Sequence, residues 1–97
     1  MKQPCVYILG NRPHGTLYVG VTSDLVARIW QHKNSLADGF TKRYGIHTLL
    51  WFEQHGTMES AILREKQLKA GSRMKKIALI EAANPEWQDL YSGILSV

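Results

Sequence analysis

Residues Pro4 to Gly10 read Pro-Cys-Val-Tyr-Ile-Leu-Gly, a β-branched and aromatic run stopped by glycine, which predicts a strand. Thr16 to Thr22 (Thr-Leu-Tyr-Val-Gly-Val-Thr) repeats that composition. The Gly10 to Gly15 stretch between them carries turn chemistry, so the two strands form a hairpin. A loop that closes symmetrically sets Tyr7 opposite Tyr18, with both rings on one side of the sheet because side chains alternate. Ser23 or Asp24 then caps a helix over Leu25 to Asn34. Ser35 to Gly39 reads as loop, and Gly39 to Gly45 as a polar, basic stretch. Ile46 to Glu53 is a third strand by composition. Thr57 caps a helix from Met58 to Ala70 that stops at Gly71. Ser72 opens a last helix, Arg73 to Ala83, which Asn84-Pro85 ends. The predicted order is β-β-α-β-α-α, with a short tail from Glu86.

Several polar side chains fall where this pattern calls for apolar ones. Met58, Ala61, Ile62 and Leu68 form an inward stripe at helical spacing, and Glu65 sits within it. A carboxylate drawn toward a core needs a salt-bridge partner or a cation, and both readings stand. Leu25 and Ile29 mark the buried face of the first helix, with Arg28 and His32 on or beside it, four residues apart. Arg offers a bidentate fork to phosphate, and His can relay protons or hold water. The alternative is a wet helix edge, with Val26 and Trp30 carrying the packing. The tyrosine pair likewise fits cross-strand packing as well as chemistry.

Length and composition narrow the class. Ninety-seven residues, 44% hydrophobic and 21% charged, suit one globular domain over 1–97 rather than a disordered or fibrous chain. A single cysteine, Cys5, cannot make an internal disulfide. No apolar run approaches the ~20 residues that cross a bilayer, and the N-terminus has no signal-peptide pattern. The expectation is a soluble cytoplasmic protein. Twelve Lys and Arg against eight Asp and Glu give a net +4. Six of those twelve, namely Arg64, Lys66, Lys69, Arg73, Lys75 and Lys76, lie between positions 64 and 76. With Lys42 and Arg43 they form a backbone grip for a polyanion, or else a solvated helix face.

These positions carry a resemblance to the GIY-YIG nuclease superfamily, in particular to its small stand-alone bacterial members. The two signatures match as Cys5-Val6-Tyr7 and Tyr18-Val19-Gly20. The family's helix Arg, following His, metal-binding Glu and late Asn match Arg28, His32, Glu65 and Asn84. The likeness runs from residue 4 to about 87 of the chain. Cys5 and Val6 stand where the family has Gly and Ile. The resemblance implies a small α/β (α+β) domain, a three-stranded antiparallel sheet flanked by helices, that hydrolyses phosphodiesters. It further implies a single divalent ion, Mg²⁺ or Mn²⁺, on Glu65. Arg28 would neutralise transition-state charge, and Tyr18 would serve as general base, oriented by His32 or Tyr7. Asn84 would hold the geometry by hydrogen bonds.

The leading functional expectation is a structure-selective DNA endonuclease, acting on branched or nicked DNA in repair or recombination. A non-catalytic nucleic-acid-binding module of the same fold is the alternative. An adaptor using Trp30, Trp51 and Trp87 as anchors ranks last.

Overall fold

The computed structural model describes residues 2–36 and 39–95. Three strands, β1 (Cys5–Gly10), β2 (Leu17–Thr22) and β3 (Thr48–Gln54), form an antiparallel sheet in the order β2-β1-β3. Five helices accompany them: α1 (Leu25–Lys33), α2 (Gly39–Tyr44), α3 (Met58–Ala70), α4 (Arg73–Ala83) and α5 (Tyr91–Leu95). The expected three-stranded α+β architecture and element order stand, with two short helices added. Residues 37 and 38 of the loop expected over 35–39 lie outside the described residues.

The central strand explains its own composition. β1 has a partner on each edge and is buried on both faces, so its run is continuously apolar instead of alternating. Val6 and Ile8 face Ala61 and Leu68 of α3 and Ile80 of α4. Cys5, Tyr7 and Leu9 face Leu25 and Ile29 of α1 and Ile94 of α5. Leu25 and Ile29 are fully buried, and each contributes about 1.5–3 kcal/mol by leaving water. Cys5 fills this second layer, and burial pushes its thiol above the ordinary value.

Helix starts follow the sequence. Asp24, Thr57 and Ser72 each accept a backbone N–H three residues on, from Ala27, Ser60 and Lys75. Three expectations need correction. The hairpin loop closes two residues further along, so Tyr7 pairs with Gly20 and Tyr18 with Leu9. A shift in which the partner moves by two preserves the face, and both rings stay on one side of the sheet. β3 starts at Thr48, because Ile46 is buried ahead of the ladder. Met58 is exposed, leaving Ala61 and Leu68 as the buried positions of α3.

A bulge between Ile8 and Leu9 on the β3 side takes Leu50 out of the pairing. Leu50 and Trp51 therefore both turn to the α3–α4 layer. Trp51 and Trp87 are buried, whereas Trp30 is half exposed.

Candidate active site

Gly20 is required by the residue across from it. A Cβ at position 20 would overlap the Cζ and hydroxyl of Tyr7, so the second signature's glycine makes room for the first signature's phenol. The Tyr7 ring, 1% exposed, reaches α1, where its hydroxyl meets His32 Nε2 at 3.0 Å. On the other side of the imidazole, Nδ1 meets Thr41 Oγ1 of α2 at 3.1 Å. His32 is 3% exposed, so both bonds are sheltered from water. A neutral imidazole has one donor and one acceptor nitrogen, and two hydroxyls, each able to give or take, satisfy either tautomer.

Tyr18 completes the cluster from β2. Its ring centroid lies 6.4 Å from that of Tyr7 and 5.6 Å from that of His32. Unlike Tyr7 it is partly exposed, and it borders an open hollow of about 320 Å³. Phe40 of α2 forms one wall of that hollow, and Lys69 and Lys76 also line it. One turn before His32 on α1, Arg28 is partly buried and donates through Nη1 to Gln31 Oε1 at 3.1 Å.

Glu65 approaches from the opposite layer. α3 packs against β2 and β1, and Glu65 Oε2 pairs with Lys69 Nζ at 3.2 Å, the same Lys69 that borders the hollow with Tyr18. The carboxylate side chain is 16% exposed and the ammonium 54%. An i,i+4 pair this open contributes little, so the acid can exchange its lysine for another cation at small cost. Among the described residues no three His, Cys, Asp or Glu gather. A sparse donor set of one carboxylate, completed by waters and substrate oxygens, suits a hard divalent cation that keeps much of its hydration.

Asn84 stands apart from this group. At the end of α4 its Nδ2 donates to Leu50 O (3.1 Å) and Gln88 O (2.8 Å), and its Oδ1 accepts from Gln88 N. It thus binds the carbonyl of the bulged residue of β3 and shapes the turn that follows.

The basic block divides. Arg73 donates to the carbonyls of His14 and Gly15 and ties α4 to the hairpin loop. Arg64 pairs with Glu53 at 3.1 Å. Lys69 and Lys76 face the hollow, while Arg64, Lys75 and Lys76 border a separate groove between α3 and α4. Lys42, Arg43 and Lys66 are exposed. Sequence reasoning missed Thr41 and Phe40. Both lie in the short polar stretch whose helix has no cap signal and no repeat of apolar positions.

A hairpin carrying two tyrosines, one of them bonded to a helix histidine, sits on a three-stranded α+β fold of the nuclease type. Residues 3–78 match the family described as GIY-YIG catalytic domain, and the chain belongs to that family. Asn84 lies beyond the matched residues. A UPF0213 protein of Staphylococcus saprophyticus is 36% identical over 80 residues, spanning 82% of this chain and 96% of its own length. A UPF0213 protein of Staphylococcus aureus is 35% identical over 82 residues, spanning 84% and 98%. The solution NMR structure of a UPF0213 protein from Bacillus halodurans is similar in fold. Its TM-score is 0.57 at 28% identity, covering 90% of this chain and 92% of that one. Membership implies the nuclease fold and a DNA substrate. Among the described residues no helix is long and apolar enough to cross a membrane.

Proposed function

We propose that the protein is a divalent-metal-dependent endonuclease that hydrolyses phosphodiester bonds of DNA, selecting structure over sequence, with residues 1–97 forming one catalytic domain. The observation that carries this reading is the meeting of Tyr7, Tyr18 and His32 on one sheet face, beside a hollow flanked by two lysines.

Each residue has a task that its surroundings support. Lys69 and Lys76 hold the scissile phosphate over the hollow by charge. Arg28 meets the negative charge that grows on the phosphate oxygens. Tyr18 Oη, the open phenol, takes the proton from the attacking water. Tyr7 is locked by His32, and His32 by Thr41, so the three fix the floor against which Tyr18 and the water are set. Glu65 would hold one Mg²⁺ or Mn²⁺, whose chemistry when bound is to polarise a phosphate oxygen and stabilise the leaving oxyanion. Asn84 would keep β3 and the α4 end in register from outside the cluster.

The test is nicking of supercoiled plasmid by wild type and Glu65→Gln, with and without Mg²⁺ or Mn²⁺. Wild type is expected to nick only with metal. The variant, which keeps shape but loses the charge, is expected to fall about 10³-fold while still binding DNA. Equal nicking by both proteins would remove Glu65 from the reaction. No nicking by wild type, with retained DNA binding, would favour the non-catalytic module.

A further inference from the structure

The short helix α2 carries two aromatic rings beside Tyr18. Phe40 stacks on Tyr18 with centroids 6.0 Å apart and planes at 30°. Tyr44 follows at 5.0 Å from Phe40, and the Arg43 guanidinium lies 5.6 Å from the Tyr44 centroid. Three rings and a guanidinium thus run in sequence outward from the candidate general base. Phe40 and Tyr44 are each 46% exposed. Tyr44 is also tied down from behind, since its carbonyl accepts from Asn11 Nδ2 at 3.3 Å.

We infer that this aromatic row is a stacking site for unpaired DNA bases, which places a single-stranded segment directly beside the scissile phosphate. The inference rests on the endonuclease reading and names its substrate: DNA with unpaired nucleotides at the cut, such as a flap, gap or junction. The chemistry of the hollow supports the match. Phe40 offers an apolar ring as one wall, while Lys69, paired with Glu65, and Lys76, which donates to Gly71 O at 3.0 Å, bring positive charge to the others. A nucleotide has the same division, a flat π-face and an anionic phosphate. With its base on Phe40, its phosphate lies toward the lysines and Tyr18. Paired bases within a duplex are stacked on each other and cannot present a face to these rings. Lys42 and Arg43, on the same helix, are placed to follow the backbone of the strand leading away.

The test compares two oligonucleotides with identical phosphates, one bearing normal bases and one with three consecutive abasic sites. Affinity is read by fluorescence anisotropy without metal, so no cleavage is needed. Wild type is expected to bind the base-bearing strand at least about tenfold more tightly, because stacking adds roughly that factor per base. Phe40→Leu with Tyr44→Leu keeps apolar bulk but removes the rings, and the ratio is expected to fall toward one. Equal wild-type affinity for the two strands would overturn the inference, as would a ratio unchanged in the double variant. With metal present, wild type is expected to cut flapped DNA at least about tenfold faster than fully paired duplex. Equal rates would overturn the substrate assignment. A protein that cuts nothing yet keeps the base-dependent ratio would sink the endonuclease reading and leave the stacking site standing.

Discussion

Tyr7 shows how tightly one side chain can couple fold and site. Its ring belongs to the α1 layer of the core, yet its hydroxyl is bonded to a buried imidazole. Gly20 is the condition for that arrangement, since any Cβ there displaces the phenol. Gly20→Ala is therefore expected to cost about 1–3 kcal/mol by overpacking, read as a lower urea midpoint with the slope unchanged. It should also slow nicking, because the Tyr7–His32 bond must shift. A variant within about 0.5 kcal/mol of wild type would mean that the sheet yields at this point at little cost. Cys5 and Val6, where the family has Gly and Ile, point into core layers, one on each side of β1.

At the level of elements, polar bonds tie the layers to one another. Asp89 is one such point. Its carboxylate accepts from Lys33 of α1 and from the backbone amides of Leu49 in β3 and Tyr91 in α5. Burial pushes this carboxyl upward, but the lysine bond and the two amides outweigh it and hold it below the usual range. A depressed carboxyl contributes stability that is full above the ordinary carboxylate range and lost as pH falls through the folded value. Asp89→Asn is expected to reduce stability at pH 7 by at most about 1 kcal/mol, since the carboxylate is partly open to solvent. The gap is expected to narrow as pH falls below the ordinary carboxylate range. Urea midpoints at pH 7 and below that range check it, and an equal gap at both would contradict the role given to Asp89. The strands and the capped helices were legible because their signals are local: β-branched runs, Asp24, Thr57 and Ser72. α2 and α5 were not, having six and five residues, too few to show a period. The hairpin register slipped because a six-residue turn segment allows several closures, yet parity saved the shared face of the tyrosines. Glu65 was legible as a polar residue in an apolar stripe, but its partner Lys69 was not, because an i,i+4 pair is one of several that the block permits.

Across the whole molecule, the basic block is not one surface. Arg73 is bound to the carbonyls of the hairpin loop and Arg64 to Glu53, while Lys69, paired with Glu65, and Lys76, bonded to Gly71 O, border the hollow. Counting charges along the sequence could not separate these roles, since the split arises only where α3 and α4 cross the sheet edge. Lys69→Ala with Lys76→Ala is expected to reduce the salt slope of DNA binding by about two, one for each ammonium group taken from a phosphate. Arg73→Ala is expected to lower the melting temperature and leave that slope unchanged. The reverse pattern would move the DNA path to the far side of α4. The proposed reaction turns on the open phenol of Tyr18 acting on the attacking water. The most direct measurement is the single-turnover nicking rate of Tyr18→Phe at saturating protein and metal, where the ring stays and only the hydroxyl goes. The expected result is a loss of about 10²- to 10⁴-fold with DNA affinity unchanged. A rate within about twofold of wild type would contradict it, since the whole predicted effect lies far above that margin.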